Sequence, residues 1–194
     1  MNWNTPRAIE TKIKRLEREI AEIDRYFYEG NKTDDRLLYA GMLERKRDDI
    51  VRAAVLQLHT GIEDMLTSII VQHVLDATPQ TRKRKMSSTA GKALRKMLFG
   101  AGSLGFDMKL NLAVALRIID TPTKARLMEL NTLRNKCSHN WILKSPVRHG
   151  RRPKQKKPPL LPYQGSDLHT IAALKDFVGE FGGIYGKMFL KLVG

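Results

Sequence analysis

The sequence predicts an all-α protein, a helical bundle of about five to six helices in which an N-terminal heptad helix forms an antiparallel hairpin with its successor. Three observations predict it. Apolar residues recur at steps of three and four along most of the chain. Helix-starting and helix-stopping residues punctuate that pattern where it changes. The 194 residues are 42% hydrophobic and 28% charged, a balance expected of a soluble globular chain long enough to bury a core.

Thr5 can cap a first helix that has Pro6 at its start. Ile9, Ile13, Leu16, Ile20, Ile23 and Phe27 then form a narrow seam with charged flanks, as in one arm of a coiled coil. Glu29-Gly30-Asn31-Lys32 ends it, and Thr33-Asp34 opens a helix expected to run to about Asp76. Leu38, Met42, Ile50, Ala54, Leu58, Ile62, Met65, Ile69 and His73 would lie on its inner side. A short turn between two such helices makes them pack antiparallel.

Ala77-Thr78-Pro79 stops the long helix. After a basic knot, Ser87, Ser88 or Thr89 caps a short helix carrying Leu94, Met97 and Leu98. A glycine-rich link over 100–105 leads to a helix with Leu110, Leu112, Ala113, Leu116 and Ile119. Asp120 or Thr121 caps the next, whose buried side holds Leu127, Leu130 and Leu133. Five prolines and many cations make 143–166 a loop. The last helix is expected from near Ser166, with Ile171, Leu174, Phe177, Phe181, Ile184 and Met188 on one side and four glycines that suit a close helix contact or a frayed tail. The organisation expected is therefore a coiled-coil-like helix at 1–32 and a helical domain at 33–194 that includes the basic loop.

The formal net charge of +15 favours polyanionic partners, nucleic acid above all. It is clustered in Arg82, Lys83, Arg84 and Lys85, and again in Arg148, Arg151, Arg152, Lys154, Lys156 and Lys157. The plainer reading of both clusters is a solvated surface. No apolar run is long enough to cross a bilayer, and the N-terminus lacks a signal peptide's apolar stretch, so no membrane role is expected. The one cysteine, Cys137, excludes an internal disulfide and suits a reducing, cytoplasmic setting.

Most of the remaining chemistry lies in Leu130-Asn131-Thr132-Leu133-Arg134-Asn135-Lys136-Cys137-Ser138-His139-Asn140-Trp141. Arg134 offers a permanently charged fork of donors for phosphate oxygens, and His139 can take and return a proton near neutral pH. On a regular helix Asn135 and His139 share a face, whereas Arg134 lies about 140° away from His139 and must reach round, or the helix must break near Ser138. The alternative is that Arg134 pairs with an acidic neighbour and His139 caps the helix end.

Gly100-Ala101-Gly102-Ser103-Leu104-Gly105 matches a dinucleotide fingerprint by letter but follows a helix, so it reads as a connector. His59 with Glu63 and His73 with Asp76 have ligand-like spacing without further ligands, and read as an apolar face with an occasional satisfied histidine. Glu63 and Asp64 can also steady an Arg or His brought from elsewhere. Cys137 reads as a small buried side chain. No metal and no cofactor are expected.

Arg134-Asn135-Lys136-Cys137-Ser138-His139, with Leu127, Leu130 and Leu133 before it, resembles the Arg-(polar)-x-x-x-His signature of the HEPN superfamily, the higher eukaryote and prokaryote nucleotide-binding domains. The stretch from Phe99 to Ile119 is similar to its mannitol-repressor-like branch. The resemblance covers roughly residues 50 to 142 and implies an all-α bundle, commonly a homodimer with two signatures facing each other. It implies a metal-independent endoribonuclease, often a toxin held by an antitoxin or a phage-defence effector. By position Arg134 would carry the phosphate, Asn135 orient the site and His139 act as acid and base. Other members are non-catalytic regulators or scaffolds that bind nucleic acid or a protein. Trp141 stands where one toxin branch has a modified Tyr.

Overall fold

A computed structural model of the chain describes residues 10–15, 17–19, 21, 33–78, 80–99, 104–139 and 161–193. Among these it is all-α apart from one two-stranded hairpin. The helices are α1 (helical at 10–15, 17–19 and 21), α2 (Thr33–Val74), α3 (Arg82–Ser87), α4 (Thr89–Phe99), α5 (Phe106–Ala115), α6 (Thr121–His139) and α7 (Ile171–Val193). Contacts divide the chain into two units, one of residues 1–57 and 135–180 and one of residues 58–134 and 181–194.

In the first unit, Glu19 of α1 pairs with Lys46 of α2, and Glu17 accepts from Lys175 of α7 at 2.5 Å. Ile13, the seam residue whose side chain is described, is 1% exposed. The rest of the expected seam, with Leu38 and Met42, lies outside the described side chains. The hairpin pairs β1 (Pro162–Tyr163) with β2 (Ser166–Asp167) antiparallel. Gln164 (φ 47°) and Gly165 (φ 77°) supply the two left-handed residues of a tight turn whose twist matches the strands. Tyr163 is buried edge-on against Phe177 at 5.3 Å between centroids, and its hydroxyl donates to Glu180. The loop expected through 166 therefore gives way to structure at 161. It also moves the start of α7: Ser166 is spent in the hairpin, and Thr170 Oγ1 accepts from the Ala173 N–H at 3.3 Å as the cap.

In the second unit, Leu58, Ile62, Leu66 and Ile70 of α2, Leu98 of α4, Leu110 of α5, Leu127 and Leu130 of α6 and Phe181 of α7 form the core, none more than 3% exposed. His73, expected on the inner side of α2, is exposed because α2 is ending there. The basic knot forms α3, a helix that no capping or apolar pattern in the sequence marks. Ser88 Oγ accepts from the Gly91 N–H at 3.1 Å and Asp120 Oδ1 from the Thr123 N–H at 2.8 Å, so Ser88 and Asp120 start α4 and α6. A Cβ on Gly179, Gly183 or Gly186 would meet nothing within 4 Å, so these glycines make no close helix contact among the described residues.

α2 and α5 end alike. Ala77 N–H donates to Gln72 O at 2.9 Å with Asp76 at φ 48°, and Ile118 N–H donates to Ala113 O at 2.8 Å with Arg117 at φ 56°. Both are Schellman ends, closed by a buried apolar residue, with a left-handed position that favours glycine. Arg117 is exposed. Arg117→Gly should thus raise stability by about 0.5–1 kcal/mol, read as a higher urea midpoint, whereas Arg117→Val should lower it.

Candidate functional site

α6 is positioned by its stripe of buried residues. Leu127 and Leu130 are fully buried, Leu133 is 2% and Cys137 3% exposed. That spacing turns Arg134 half out of the core and leaves Asn135 and Lys136 exposed. The helix runs through Ser138 to His139 without a break, so the convergence that a break would have given is not made by the backbone. Asn135 and His139 are one turn apart on this helix. The His139 side chain lies outside the described residues.

In the first unit, Arg52 of α2 donates from its Nη1 to the carbonyl of Cys137 at 3.1 Å and from its Nε to Asp48 Oδ2 at 2.9 Å. Asp48 Oδ1 lies 3.1 Å from His169 Nε2, and His169 Nδ1 lies 2.8 Å from Asp167 Oδ1. Burial pushes the Asp167 carboxyl up, yet hydrogen bonds from the His169 ring and backbone hold it below the ordinary range. This Arg52–Asp48–His169–Asp167 chain ties α2 to the hairpin, and no sequence pattern marks it because its two halves meet across 121 residues, from Asp48 to His169. Burial pushes the Cys137 thiol up to about 11, so the thiol is protonated at neutral pH and is no nucleophile.

In the second unit, His59 is 3% exposed and tilts over Phe106 at 4.5 Å between centroids. Asn131 donates its amide to Asp107 Oδ1 at 2.8 Å, so its Oδ1 is the acceptor for His59 Nε2–H at 3.1 Å. This is the satisfied core histidine that the sequence favours over a metal ligand. Glu63 accepts from Lys109 Nζ at 2.6 Å, with its other oxygen 3.8 Å from His59 Nδ1. Glu63 thus steadies a lysine brought from α5 and also faces His59 of its own helix. Lys109, 3% exposed, went unread because nothing local marks a lysine for burial. Burial, then the charge of Glu63, pushes the Asp64 carboxyl up.

Burial pulls the His59 imidazole below its usual value; Glu63 and Asn131 oppose this, and Arg134 and Lys109 add to it. A depressed histidine contributes stability that is fully present above its unfolded value, about pH 6.5, and is lost as pH falls. The urea midpoint should therefore drop between pH 7.5 and pH 5.5, and less so in His59→Asn.

Of the basic knot, Arg82 donates to Leu192 O of α7 at 3.3 Å and Lys85 to Asp76 O, while Lys83 and Arg84 are exposed. Arg148, Arg151, Arg152, Lys154, Lys156 and Lys157 lie outside the described residues, as does Trp141. Of the glycine-rich link, Leu104 and Gly105 are described, and Gly105 precedes α5. Among the described residues no cluster of three or more His, Cys, Asp or Glu is arranged to hold a metal, and no helix is long and apolar enough to cross a membrane. No protein-family model, curated protein or solved structure matches the chain.

Proposed function

We propose that the protein is a HEPN-type, metal-independent endoribonuclease that works as a homodimer, in the manner of a toxin or phage-defence effector. The observation that carries this reading is the helix that bears Arg134, Asn135 and His139. Its apolar stripe is buried, Asn135 is solvent-facing, and the chain's net charge is +15. His139 takes the proton of a ribose 2′-hydroxyl as that oxygen attacks its own phosphorus. Arg134 stabilises the added negative charge on the phosphoryl oxygens, the kind of interaction that contributes most to such a barrier. The bond from phosphorus to the 5′-oxygen breaks, and that oxygen takes its proton from a second copy of His139 across the dimer. The products are a 2′,3′-cyclic phosphate and a 5′-hydroxyl. Asn135, one turn from His139, orients the imidazole.

The test is incubation of the purified chain with mixed RNA in chelator. Cleavage is expected there. Cleavage that appears only with added Mg²⁺ would overturn the assignment, and RNA left intact in both conditions would favour a non-catalytic regulator or scaffold of the mannitol-repressor kind.

A further inference from the structure

We propose that the groove between α3 and α4 binds a single strand of RNA, with its phosphates on Lys83, Lys92 and Arg95 and a base on Phe99. This rests on the ribonuclease reading and gives it a substrate track that the basic knot alone did not define. Between Asp76 and Asp107 the chain has seven cations and no acidic residue. Two of the seven, Arg82 and Lys85, are engaged with backbone carbonyls. Lys83, Lys92 and Arg95 instead line an open groove of about 540 Å³ with Met86 and Ser87, and no acidic partner neutralises them among the described ion pairs.

The groove is a built elbow. Ser88 is extended (φ −64°, ψ 163°) and separates the two helices, and its hydroxyl caps α4 through the Gly91 N–H. A Cβ on Gly91 would sit 2.8 Å from Met86 O and closer still to Lys85 O, so only glycine lets α4 begin against the carbonyls of α3. Lys92 and Arg95 follow at helical spacing and come to the same wall.

Beside the groove stands an aromatic ring. The Arg95 guanidinium and the Lys109 ammonium each lie 5.8 Å from the centre of the Phe99 ring, and Phe99 is 43% exposed. An aromatic face joined to a guanidinium plane is a surface on which any base stacks, while the neighbouring cations follow a phosphate backbone. An acidic peptide would use the cations and leave Phe99 and Met86 wet. A nucleotide strand uses both.

The test measures anisotropy of a fluorescein-labelled oligouridine on the His139→Ala chain, which leaves the probe uncut. Lys92→Gln/Arg95→Gln should weaken binding at least about tenfold and flatten the slope of log K against log salt by about 1.4, two phosphate contacts at the single-strand value. Phe99→Ala should weaken it about fivefold or more with the salt slope unchanged. Lys12→Gln/Lys14→Gln, an equal charge loss on exposed residues of α1, should change it less than threefold, roughly the general-charge background. Groove and α1 variants that weaken binding equally would overturn the proposal. So would poly-glutamate displacing the RNA at equal charge concentration, which would point to an acidic protein partner. Because binding is read without cleavage, loss of binding in the groove variants alongside an inert wild type would retain the groove and remove the ribonuclease reading.

Discussion

Replacing Glu63 with alanine should destabilise the protein by about 3 kcal/mol, the lower end of the range for breaking a buried ion pair. The Lys109 side chain is 4% exposed, whereas Glu63, at 28%, still reaches water. Removing the carboxylate leaves a buried ammonium beside the Phe99 ring without its ion-pair partner, with Asp64 as the other carboxylate whose charge it feels, and it removes the group that faces His59 Nδ1. The penalty belongs to the stranded charge, so Glu63→Leu combined with Lys109→Met should recover most of it. Urea unfolding of the two single variants and the double variant measures this. A Glu63→Ala midpoint equal to wild type, or a double variant less stable than both singles, would contradict the assigned pair.

Arg134→Ala should slow RNA cleavage about 10²–10³-fold, the range for losing one preorganised donor to a developing anion. Arg134→Lys keeps the charge but loses the planar fork, so it should restore only part of the rate. Arg134 also adds to the depression of the His59 imidazole, and the alanine variant should let that histidine titrate at higher pH. An NMR titration of His59 therefore reports whether Arg134 holds its place before any RNA is added. Cleavage at the wild-type rate in a folded Arg134→Ala chain would make Arg134 a structural cation.

Where the determinants are local, the sequence was readable. Ser88 and Asp120 were each among the expected caps, because a side-chain oxygen three residues before an N–H is a local arrangement. The buried side of α6 followed from the spacing of Leu127, Leu130 and Leu133, which is the same regularity that places Arg134 and Asn135. What escaped depends on partners far along the chain. Lys109 is buried because Glu63 meets it 46 residues away, and His169 is held by Asp48 from 121 residues away. The left-handed ends at Asp76 and Arg117 were hidden because neither is glycine. The hairpin did leave a signal, Gln164-Gly165 between Tyr163 and Ser166, which the surrounding prolines and cations outweighed. Of the candidate site, residue types and helical register were legible. The path of the RNA was not, since Lys83 shares a groove with Lys92 and Arg95 only once α3 and α4 meet at Gly91.

Proton transfer by His139 at an RNA phosphodiester is tested by comparing wild type and His139→Ala on one RNA, in chelator, with the product ends identified by mass spectrometry. Wild type should leave 2′,3′-cyclic phosphate and 5′-hydroxyl ends, and His139→Ala should cleave about 10²–10⁴-fold more slowly. Equal rates from the two proteins, or 5′-phosphate ends, would rule out His139 as the proton-transfer residue.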